Sequence, residues 1–334
     1  MKKALFFDTL EGGRVKCLAC SHYCRIEPGK TGICGVRENR GGTLFSLVYD
    51  RVVAASVDPV EKKPLFHLKP GSTSFSIATM GCNLGCRFCQ NADIAQVRDS
   101  GRIRGRGISP ETIVAQALDA GCKSISYTYT EPSVFIELAL DTARLAKDAG
   151  LYNIFVTNGF MSPELVEAAA PVLDAANVDL KAFTDEFYRK LCRAGLKPVK
   201  QTLKQMKQKG IMVEVTTLVI PGLNDDPGEL AGMAGFIAGE LGPETPWHLS
   251  RFHPTYQMTD RAATPAATLE RACDIGEKAG LFHVYTGNLP GARENTCCRN
   301  CGTLLVKRHG YGIENFLKEN GRCPGCTETL YGIF

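Results

Sequence analysis

The chain has 334 residues, of which 44% are hydrophobic, so it can bury one large core with smaller appendages. Its 39 basic and 35 acidic residues leave a formal charge of +4, which gives no reason to expect a nucleic acid or a membrane surface as partner. No apolar run is long enough to span a bilayer, and the N-terminal apolar stretch is too short for a signal peptide. We therefore expect a cytoplasmic protein, in which 15 cysteines indicate metal sites rather than disulfides.

The first group of cysteines lies near the N-terminus and comprises Cys17, Cys20, Cys24 and Cys34. Four thiolates complete a metal site, and such ligation suits both zinc and iron–sulfur clusters. We predict structural zinc here, with an auxiliary iron–sulfur cluster as the second interpretation and a metal-free, turn-rich segment as the third. This cysteine-rich segment is assigned to residues 1–71. Within it, the run from Val57 to Gly71 carries no identifiable chemistry and fits a solvated connector or a cover for the loop that follows.

A barrel-like domain is predicted over residues 72–290, where apolar runs rich in β-branched residues alternate with amphipathic runs. Strands are expected at 74–79, 124–129, 153–159, 177–183, 212–220, 247–252 and 282–287. A helix between the first two strands has Ser109 as its N-cap, Pro110 as its first residue and Gly121 just beyond its end. This alternation predicts a parallel sheet buried on both faces, and therefore an α/β fold with a partial or complete (β/α) TIM-like barrel.

The second group of cysteines follows the first predicted strand in the run TMGCNLGCRFCQN and comprises Cys82, Cys86 and Cys89. The carboxyl end of a barrel strand is where barrel active sites are built. Three thiolates leave one position of a four-ligand centre open, and an open position separates catalytic from structural metal sites. The alternative is a zinc knuckle, but the next cysteine along the chain is Cys122.

Polar residues also follow the later predicted strands, beginning with Glu131 after the second. Asp179 and Lys181 share one face of the fourth strand, where a buried acid and lysine are costly unless they pair or bind a ligand. Glu131 alternatively caps the helix that follows it. On the sixth strand, alternation sets His248 and Ser250 on one face and Arg251 and His253 on the other, and one of these pairs should face the barrel mouth.

The third group of cysteines forms two knuckles, Cys298-x2-Cys301 and Cys323-x2-Cys326, which are typical of a zinc ribbon. The intervening run LLVKRHGYGI has a hairpin-like pattern, as expected where a metal replaces a hydrophobic core. We predict a structural zinc site in a C-terminal segment over residues 291–334. Cys297 precedes the first knuckle and is the weaker candidate, because the two-residue spacing favours Cys298.

Several of these motifs resemble those of radical S-adenosylmethionine (SAM) enzymes. The spacing C-x3-C-x2-C, with the aromatic Phe88 before the third cysteine, is that of the family's cluster loop. Thr157-Asn158-Gly159, Asp179-Leu180-Lys181 and VIPGLND resemble the pyruvate formate-lyase activating enzyme group. Longer stretches, among them VDPVEKKPLFHLKPG and WHLSRFHPTY, resemble the radical SAM component of the AmmeMemoRadiSam system from residue 17 to the C-terminus.

The resemblance implies a cofactor and a set of residues that hold it. A [4Fe–4S] cluster would bind Cys82, Cys86 and Cys89, with SAM chelating the open iron. The SAM-binding candidates are Phe88, Asn91, Thr130, Glu131, Asn158, Asp179, Lys181, Arg251 and His253. The family's usual Gly-Gly-Glu is replaced here by Tyr-Thr-Glu, which keeps Glu131 and alters the backbone contacts. Thr216 and Thr217 stand where many activating enzymes carry an arginine, so another residue must anchor the SAM carboxylate.

The resemblance also implies a function. Reductive cleavage of SAM would produce a 5′-deoxyadenosyl radical that abstracts hydrogen from a protein, peptide or small-molecule substrate. Electrons would come from a donor such as flavodoxin or ferredoxin, and AMMECR-type and Memo-type proteins are the expected associates. One alternative is an enzyme that activates a glycyl-radical protein. The other is a non-enzymatic zinc or nucleic-acid-binding protein, although the chain lacks a basic stripe interleaved with aromatic residues.

Overall fold

The computed structural model describes residues 1–97, 103–289 and 293–334. The predicted boundary between the second and third parts, at residues 290 and 291, lies outside these ranges. None of the helices formed by the described residues is long and apolar enough to cross a membrane.

The N-terminal region folds as two small antiparallel sheets of three strands each. Its strands are β1 (Lys2–Lys3), β2 (Phe7–Thr9), β3 (Val15–Cys17), β4 (Arg25–Ile26), β5 (Arg37–Arg40) and β6 (Thr43–Ser46). Strands β1, β6 and β5 form one sheet, and β2, β3 and β4 form the other. The side chain of Arg37 on β5 is buried against the barrel, where Nη1 and Nη2 donate to the carboxylate of Glu137 at 2.9 and 2.8 Å. This ion pair connects the N-terminal region to the barrel.

The centre of the molecule is a nine-stranded, mostly parallel sheet. Its strands are β7 (Arg51–Pro59), β8 (Thr73–Thr79), β9 (Arg106–Gly107), β10 (Ser124–Tyr127), β11 (Tyr152–Thr157), β12 (Ala175–Asp179), β13 (Met212–Val219), β14 (Trp247–Arg251) and β15 (Val284–Gly287). The order across the sheet is β15-β14-β13-β12-β11-β10-β8-β7-β9, with β7 antiparallel to both of its neighbours. Because β15 and β9 are opposite edges, the sheet is a partial barrel.

Helices follow the strands of this sheet, and the longer ones pack against it. They are α1 (Ala92–Ala95), α2 (Pro110–Asp119), α3 (Ile136–Asp148), α4 (Pro163–Ala169), α5 (Asp185–Phe187), α6 (Leu196–Gln208), α7 (Pro227–Phe236) and α8 (Ala266–Lys278). Single π-helical turns, Tyr188–Cys192 and Ile237–Leu241, continue α5 and α7. At the start of α2, Ser109 Oγ accepts from the backbone N–H of Thr112 at 3.3 Å, as its N-cap pattern predicts.

The predicted α/β fold with a partial barrel is confirmed, and each of the seven expected strands is present. The fourth ends at Asp179, earlier than predicted, because the backbone of Lys181 pairs with side chains instead of a neighbouring strand. Its N–H donates to Tyr188 Oη at 3.0 Å, and its carbonyl accepts from Asn224 Nδ2 at 2.6 Å. Strand β7, which falls within the predicted segment 1–71, pairs with β8 in the central sheet.

The C-terminal region is a small antiparallel sheet of β16 (Thr296–Cys297), β17 (Leu304–His309) and β18 (Gly312–Asn315). Strands β17 and β18 form the hairpin predicted from the run LLVKRHGYGI. The C-terminal tail then packs along the connection between β7 and β8. The N–H of Ile333 donates to the carbonyl of His67 at 2.8 Å, and the N–H of Lys69 donates to the carbonyl of Ile333 at 2.7 Å.

Candidate active site

A cavity of about 480 Å³ opens at the carboxyl ends of the parallel strands. This volume lies within the range of about 300–1,000 Å³ that is usual for ligand sites. Its lining includes most of the residues that the sequence singles out: Cys82, Cys86, Phe88, Cys89, Asn91, Thr130, Asn158, Asp179 and Lys181. It also includes polar residues that the sequence does not single out: Lys62, Lys63, Tyr129, Asn177, Asn288 and Tyr311.

The cysteine loop leaves β8 through Gly81, whose φ of +101° is unfavourable for any other residue. A Cβ atom at this position would lie 2.7 Å from a methyl group of Val36, so the chain also needs glycine for close packing. The loop then rests on the π-helical turn after α5, where the N–H of Gly85 donates to the carbonyl of Cys192 at 2.9 Å. Local backbone geometry therefore directs the three cysteines into the cavity.

The three thiols fit an iron–sulfur cluster better than a single zinc ion. Burial, with a further contribution from Glu131, raises the pKa of Cys82, and a hydrogen bond with Cys192 together with burial raises that of Cys86. Thiols of this kind ionise when a positively charged metal centre is bound. Among the described residues, the sulfur atoms of these three cysteines do not all lie within 4.8 Å of one another, as ligands of one tetrahedral ion would.

The loop after β11 is held against the cysteine loop by amide side chains. Asn158 Nδ2 donates to Asn83 Oδ1 at 2.7 Å and lies 3.7 Å from the sulfur of Cys82. Asn158 thus lies beside the first cysteine, within the cavity lining. Its position depends on Glu131, whose Oε2 accepts from the Asn158 N–H at 2.9 Å.

Glu131 itself is fully buried and does not line the cavity. Its carboxylate accepts hydrogen bonds from Thr157 Oγ1 at 2.9 Å and from the N–H of Ser133 at 3.2 Å. The second contact is the helix N-cap interaction that the sequence offers as the alternative interpretation. Burial raises the pKa of Glu131. The geometry makes this carboxylate a positioning group for the loop that carries Asn158.

Asp179 and Lys181 form an ion pair on the wall of the cavity, with Lys181 Nζ 2.6 Å from Asp179 Oδ2. The side chain of Lys181 is 13% exposed and its ammonium group lies 5.9 Å from the ring centroid of Phe88. Although burial opposes it, the charge of Asp179 raises the pKa of Lys181 well above its usual value. A fixed carboxylate and a fixed ammonium group therefore lie together beside the cysteine loop.

The segment between Val57 and Gly71 covers one side of the cavity. Lys63 Nζ is buried and donates to Asp58 Oδ2 at 2.7 Å and to Tyr129 Oη at 3.2 Å. Tyr129 adopts a left-handed backbone conformation, with φ of +63°, and its hydroxyl donates to Asp58. Although burial opposes it, hydrogen bonds from Lys62, Lys63 and Tyr129 lower the pKa of Asp58. The connector thus contributes a rigid charged network rather than a solvated link.

On β14, the face formed by His248 and Ser250 points inward, and Ser250 lines the cavity. His248 is buried below it, with Nε2 2.5 Å from the carboxylate of Glu214. Arg251 instead donates from Nε to the carbonyl of Thr264 at 2.9 Å, and His253 is exposed. The structure therefore does not bring Arg251 and His253 to the cavity with the other SAM-binding candidates.

Comparisons with known proteins agree with this geometry. A family model described as the radical SAM superfamily matches residues 76–234. An uncharacterized protein of Methanocaldococcus jannaschii is 44% identical over 333 residues, which cover 99% of each chain. The chain belongs to the radical SAM superfamily.

More distant radical SAM proteins resemble parts of the chain. Pyruvate formate-lyase-activating enzyme of Listeria monocytogenes is 22% identical over 170 residues, which cover 49% of this chain and 68% of that enzyme. A solved structure of a radical SAM methyltransferase from Sphaerobacter thermophilus matches with a TM-score of 0.53 at 18% identity, covering 71% of each chain. At this identity, the structural match shows that the fold is shared.

The radical SAM enzyme has a second type of cysteine site in its C-terminal region. The thiols of Cys298, Cys301, Cys323 and Cys326 have sulfur atoms that all lie within 4.8 Å of one another. Cys298 and Cys326 are 3.5 Å apart, and Cys301 and Cys323 are 3.6 Å apart. Cys297 lies outside this set and is exposed, as the knuckle spacing predicts.

The structure also reveals residues of the site that sequence reasoning missed. Cys192 is buried beside Cys86, although in the sequence it stands alone and its surroundings indicate simple packing. Lys62 and Lys63 had a weak signal, namely two adjacent lysines in a segment without assigned chemistry. Tyr311 lies on the C-terminal hairpin and lines the cavity from outside the barrel, so no local pattern identifies it.

Proposed function

We propose that this radical SAM enzyme holds a [4Fe–4S] cluster on Cys82, Cys86 and Cys89, cleaves SAM reductively, and abstracts a hydrogen atom from a substrate at the cavity mouth. One observation carries the proposal: the three thiols share a single cavity with polar side chains from the ends of successive parallel strands. When bound there, such a cluster supplies one electron to SAM, which yields methionine and a 5′-deoxyadenosyl radical.

The chain's own residues orient SAM and exclude competing reactions. SAM carries a carboxylate, an ammonium group and ribose hydroxyls, which match the charged pair of Asp179 and Lys181 and the amides of Asn91 and Asn158. Glu131 acts through Asn158 by fixing the loop on which it lies. Lys63 closes the opposite side of the cavity and limits the access of water.

The proposal also concerns the class of the substrate. Similarity to pyruvate formate-lyase-activating enzymes supports a protein or peptide substrate, with glycyl-radical formation as the alternative function. A small molecule would also fit a cavity of about 480 Å³. We further propose flavodoxin or ferredoxin as electron donor and AMMECR-type and Memo-type proteins as partners, on the sequence resemblance described above.

For the C-terminal cysteines we propose one structural zinc ion. The sulfur atoms of four thiolates at about 2.3 Å from one tetrahedral zinc lie about 3.8 Å apart. The separations of 3.5 and 3.6 Å in this region support that geometry. All four positions would be filled by protein, so the ion would stabilise the hairpin without taking part in the reaction.

The test is SAM cleavage by the protein purified without oxygen and reconstituted with iron and sulfide. After reduction, we expect 5′-deoxyadenosine and methionine, and an electron paramagnetic resonance signal that changes when SAM is added. Cys86→Ala should abolish 5′-deoxyadenosine formation, whereas Cys122→Ala, a buried thiol that does not line the cavity, should retain it. Formation of 5′-deoxyadenosine by the Cys86 variant, or a wild-type protein that holds only zinc, would refute the proposal.

The substrate can be identified by the hydrogen that it loses. Partner proteins and candidate small molecules labelled with deuterium are incubated with the reduced enzyme and SAM. We expect deuterium in 5′-deoxyadenosine when the true substrate is present. Label transferred from a backbone glycine of a partner protein would favour the activating-enzyme alternative, and label from other positions would exclude it.

A further inference from the structure

The N-terminal cysteines form a site whose metal the sequence alone leaves open. We infer that Cys17, Cys20, Cys24 and Cys34 hold a second iron–sulfur cluster, in place of the zinc ion that their spacing first suggests. This inference depends on the geometry of the N-terminal region and does not depend on the proposed function.

The spacing of the thiols is the first observation. All four cysteines line one small cavity, together with the apolar side chains of Ala19, Ile26 and Val134. The cavity has a volume of about 10 Å³. Thiolates that ligate a single zinc lie about 2.3 Å from it and leave no such space. A cubane cluster holds its thiolates farther apart, because its own iron and sulfide atoms lie between them.

The C-terminal cysteines provide an internal standard for this comparison. Their four sulfur atoms lie within 4.8 Å of one another, as one tetrahedral ion requires, whereas no three of the N-terminal thiols do. Among the described residues, the three thiols of the cysteine loop do not meet this limit either. By this measure, the N-terminal cysteines resemble the cluster loop and differ from the zinc ribbon.

An unused hydrogen-bond donor is the second, independent observation. Arg37 lines the cavity and is 2% exposed, and its Nη atoms are occupied by Glu137. Its Nε atom is buried and has no hydrogen-bond partner among the described residues. An orphaned buried donor is costly unless a bound group accepts from it. Sulfur atoms of a cluster or of its thiolates accept such hydrogen bonds, which also tune the cluster's reduction potential.

The inferred cluster would lie directly beside the catalytic loop. His22, between the second and third cysteines of the site, has Nε2 2.8 Å from the carbonyl of Asn83, the residue after Cys82. Gly81 packs against the same region, since a Cβ atom there would lie 3.1 Å from the carbonyl oxygen of Cys34. The two sets of thiols are therefore linked by a short path through His22 and Asn83.

The experiment removes the catalytic loop's thiols and measures what metal remains. The variant Cys82→Ala/Cys86→Ala/Cys89→Ala is reconstituted without oxygen, and its iron, sulfide and zinc are counted. We expect about four irons and about four sulfides per chain, with a reduced-state paramagnetic signal that SAM does not change. A variant that holds no iron and about two zinc ions would overturn the inference.

A second variant protects the test against misfolding. In the wild-type background, Cys20→Ala/Cys24→Ala leaves only two thiolates at the site and should lower the iron content from about eight to about four per chain. Cys122→Ala serves as the matched control and should keep about eight. An unchanged iron content in the double variant would also overturn the inference. If instead the proposed function were wrong, the wild-type protein and the triple variant would contain the same amount of iron.

Discussion

The cysteine loop and the C-terminal ribbon both present cysteines, but they arrange them differently. The C-terminal region converges four thiols to within 4.8 Å of one another, so protein atoms can saturate one ion. The loop carries Cys82, Cys86 and Cys89, which do not meet this limit among the described residues and face a cavity of about 480 Å³. The comparison teaches that the number and spacing of thiols distinguish a closed site from one that leaves room for a ligand.

The surroundings of the two groups of cysteines also differ, being apolar around the closed site and polar around the open one. A small apolar cluster that includes Leu305, Val306 and Leu330 surrounds the ribbon cysteines, and a metal would complete this minimal core. The catalytic loop instead faces polar side chains, among them Asp179 and Lys181. A structural ion needs a packed shell, whereas a reactive centre needs groups that orient its ligand.

The largest effect should come from removing one ribbon thiol. We expect Cys323→Ala to abolish metal binding at the proposed zinc site, since a structural zinc ion contributes on the order of 10 kcal/mol of folding free energy. The hairpin β17–β18 should then lose amide protection in hydrogen exchange, while the iron content stays at the wild-type value. Metal analysis and hydrogen exchange measure these changes. Cys86→Ala serves as the comparison, because it should lose iron and keep the amide protection of the hairpin. Loss of iron in the Cys323 variant would contradict the separation of the two sites.

The next effect concerns the anchor of the N-terminal cysteines to the barrel. Glu137→Ala leaves the buried guanidinium of Arg37 without its partner, so we expect a loss of about 3–5 kcal/mol of unfolding free energy. Denaturant unfolding measures this value, and Glu186→Ala, in an exposed ion pair with Lys190, should cost much less. Equal losses in the two variants would show that the buried pair is not an anchor.

A smaller effect, on SAM binding, is expected from the Asp179–Lys181 ion pair on the wall of the cavity. Asp179→Asn removes the charge that holds Lys181, so we expect the KM for SAM to rise about tenfold or more. Glu244→Gln is the matched control, because Glu244 pairs with Lys207 at 2.9 Å outside the cavity lining. Steady-state 5′-deoxyadenosine formation measures both variants. A similar rise in the control would assign the effect to general stability.

The smallest effect should follow from loosening the cover of the cavity. Tyr129→Phe removes one hydroxyl that bonds Asp58 and Lys63, which should cost about 1 kcal/mol. We expect the midpoint of thermal unfolding to fall by a few degrees. We also expect a modest rise in SAM cleavage that is uncoupled from substrate. Product ratios with and without substrate measure the coupling. An unchanged ratio would restrict the network to a structural role.

Much of the fold follows from local patterns. Periodic apolar runs locate the seven strands, and Ser109 and Gly121 bracket their helix as capping rules predict. The fourth strand ends early because side chains of Tyr188 and Asn224 take the backbone hydrogen bonds of Lys181. Asn224 is 43 residues from Lys181, so the pattern of the strand itself could not show where it stops.

The candidate site was predictable to a similar degree. The cysteine loop and the Asp179–Lys181 pair carry recognisable spacing, and both line the cavity. On the sixth strand, alternation separates two faces but does not say which one is inward. Packing decides this, since Glu214 holds His248 inside and leaves Ser250 at the cavity.

By itself, the sequence determined which residues can do chemistry, because thiol type and spacing along a loop are local properties. It specified three groups of cysteines and a barrel to carry the central one. Only the tertiary structure decided how far apart the thiols of each group lie, and which polar residues share their cavity. Those distances depend on long-range contacts, such as Gly81 against Val36 and His22 against Asn83. The choice between a closed and an open metal site is therefore made by packing.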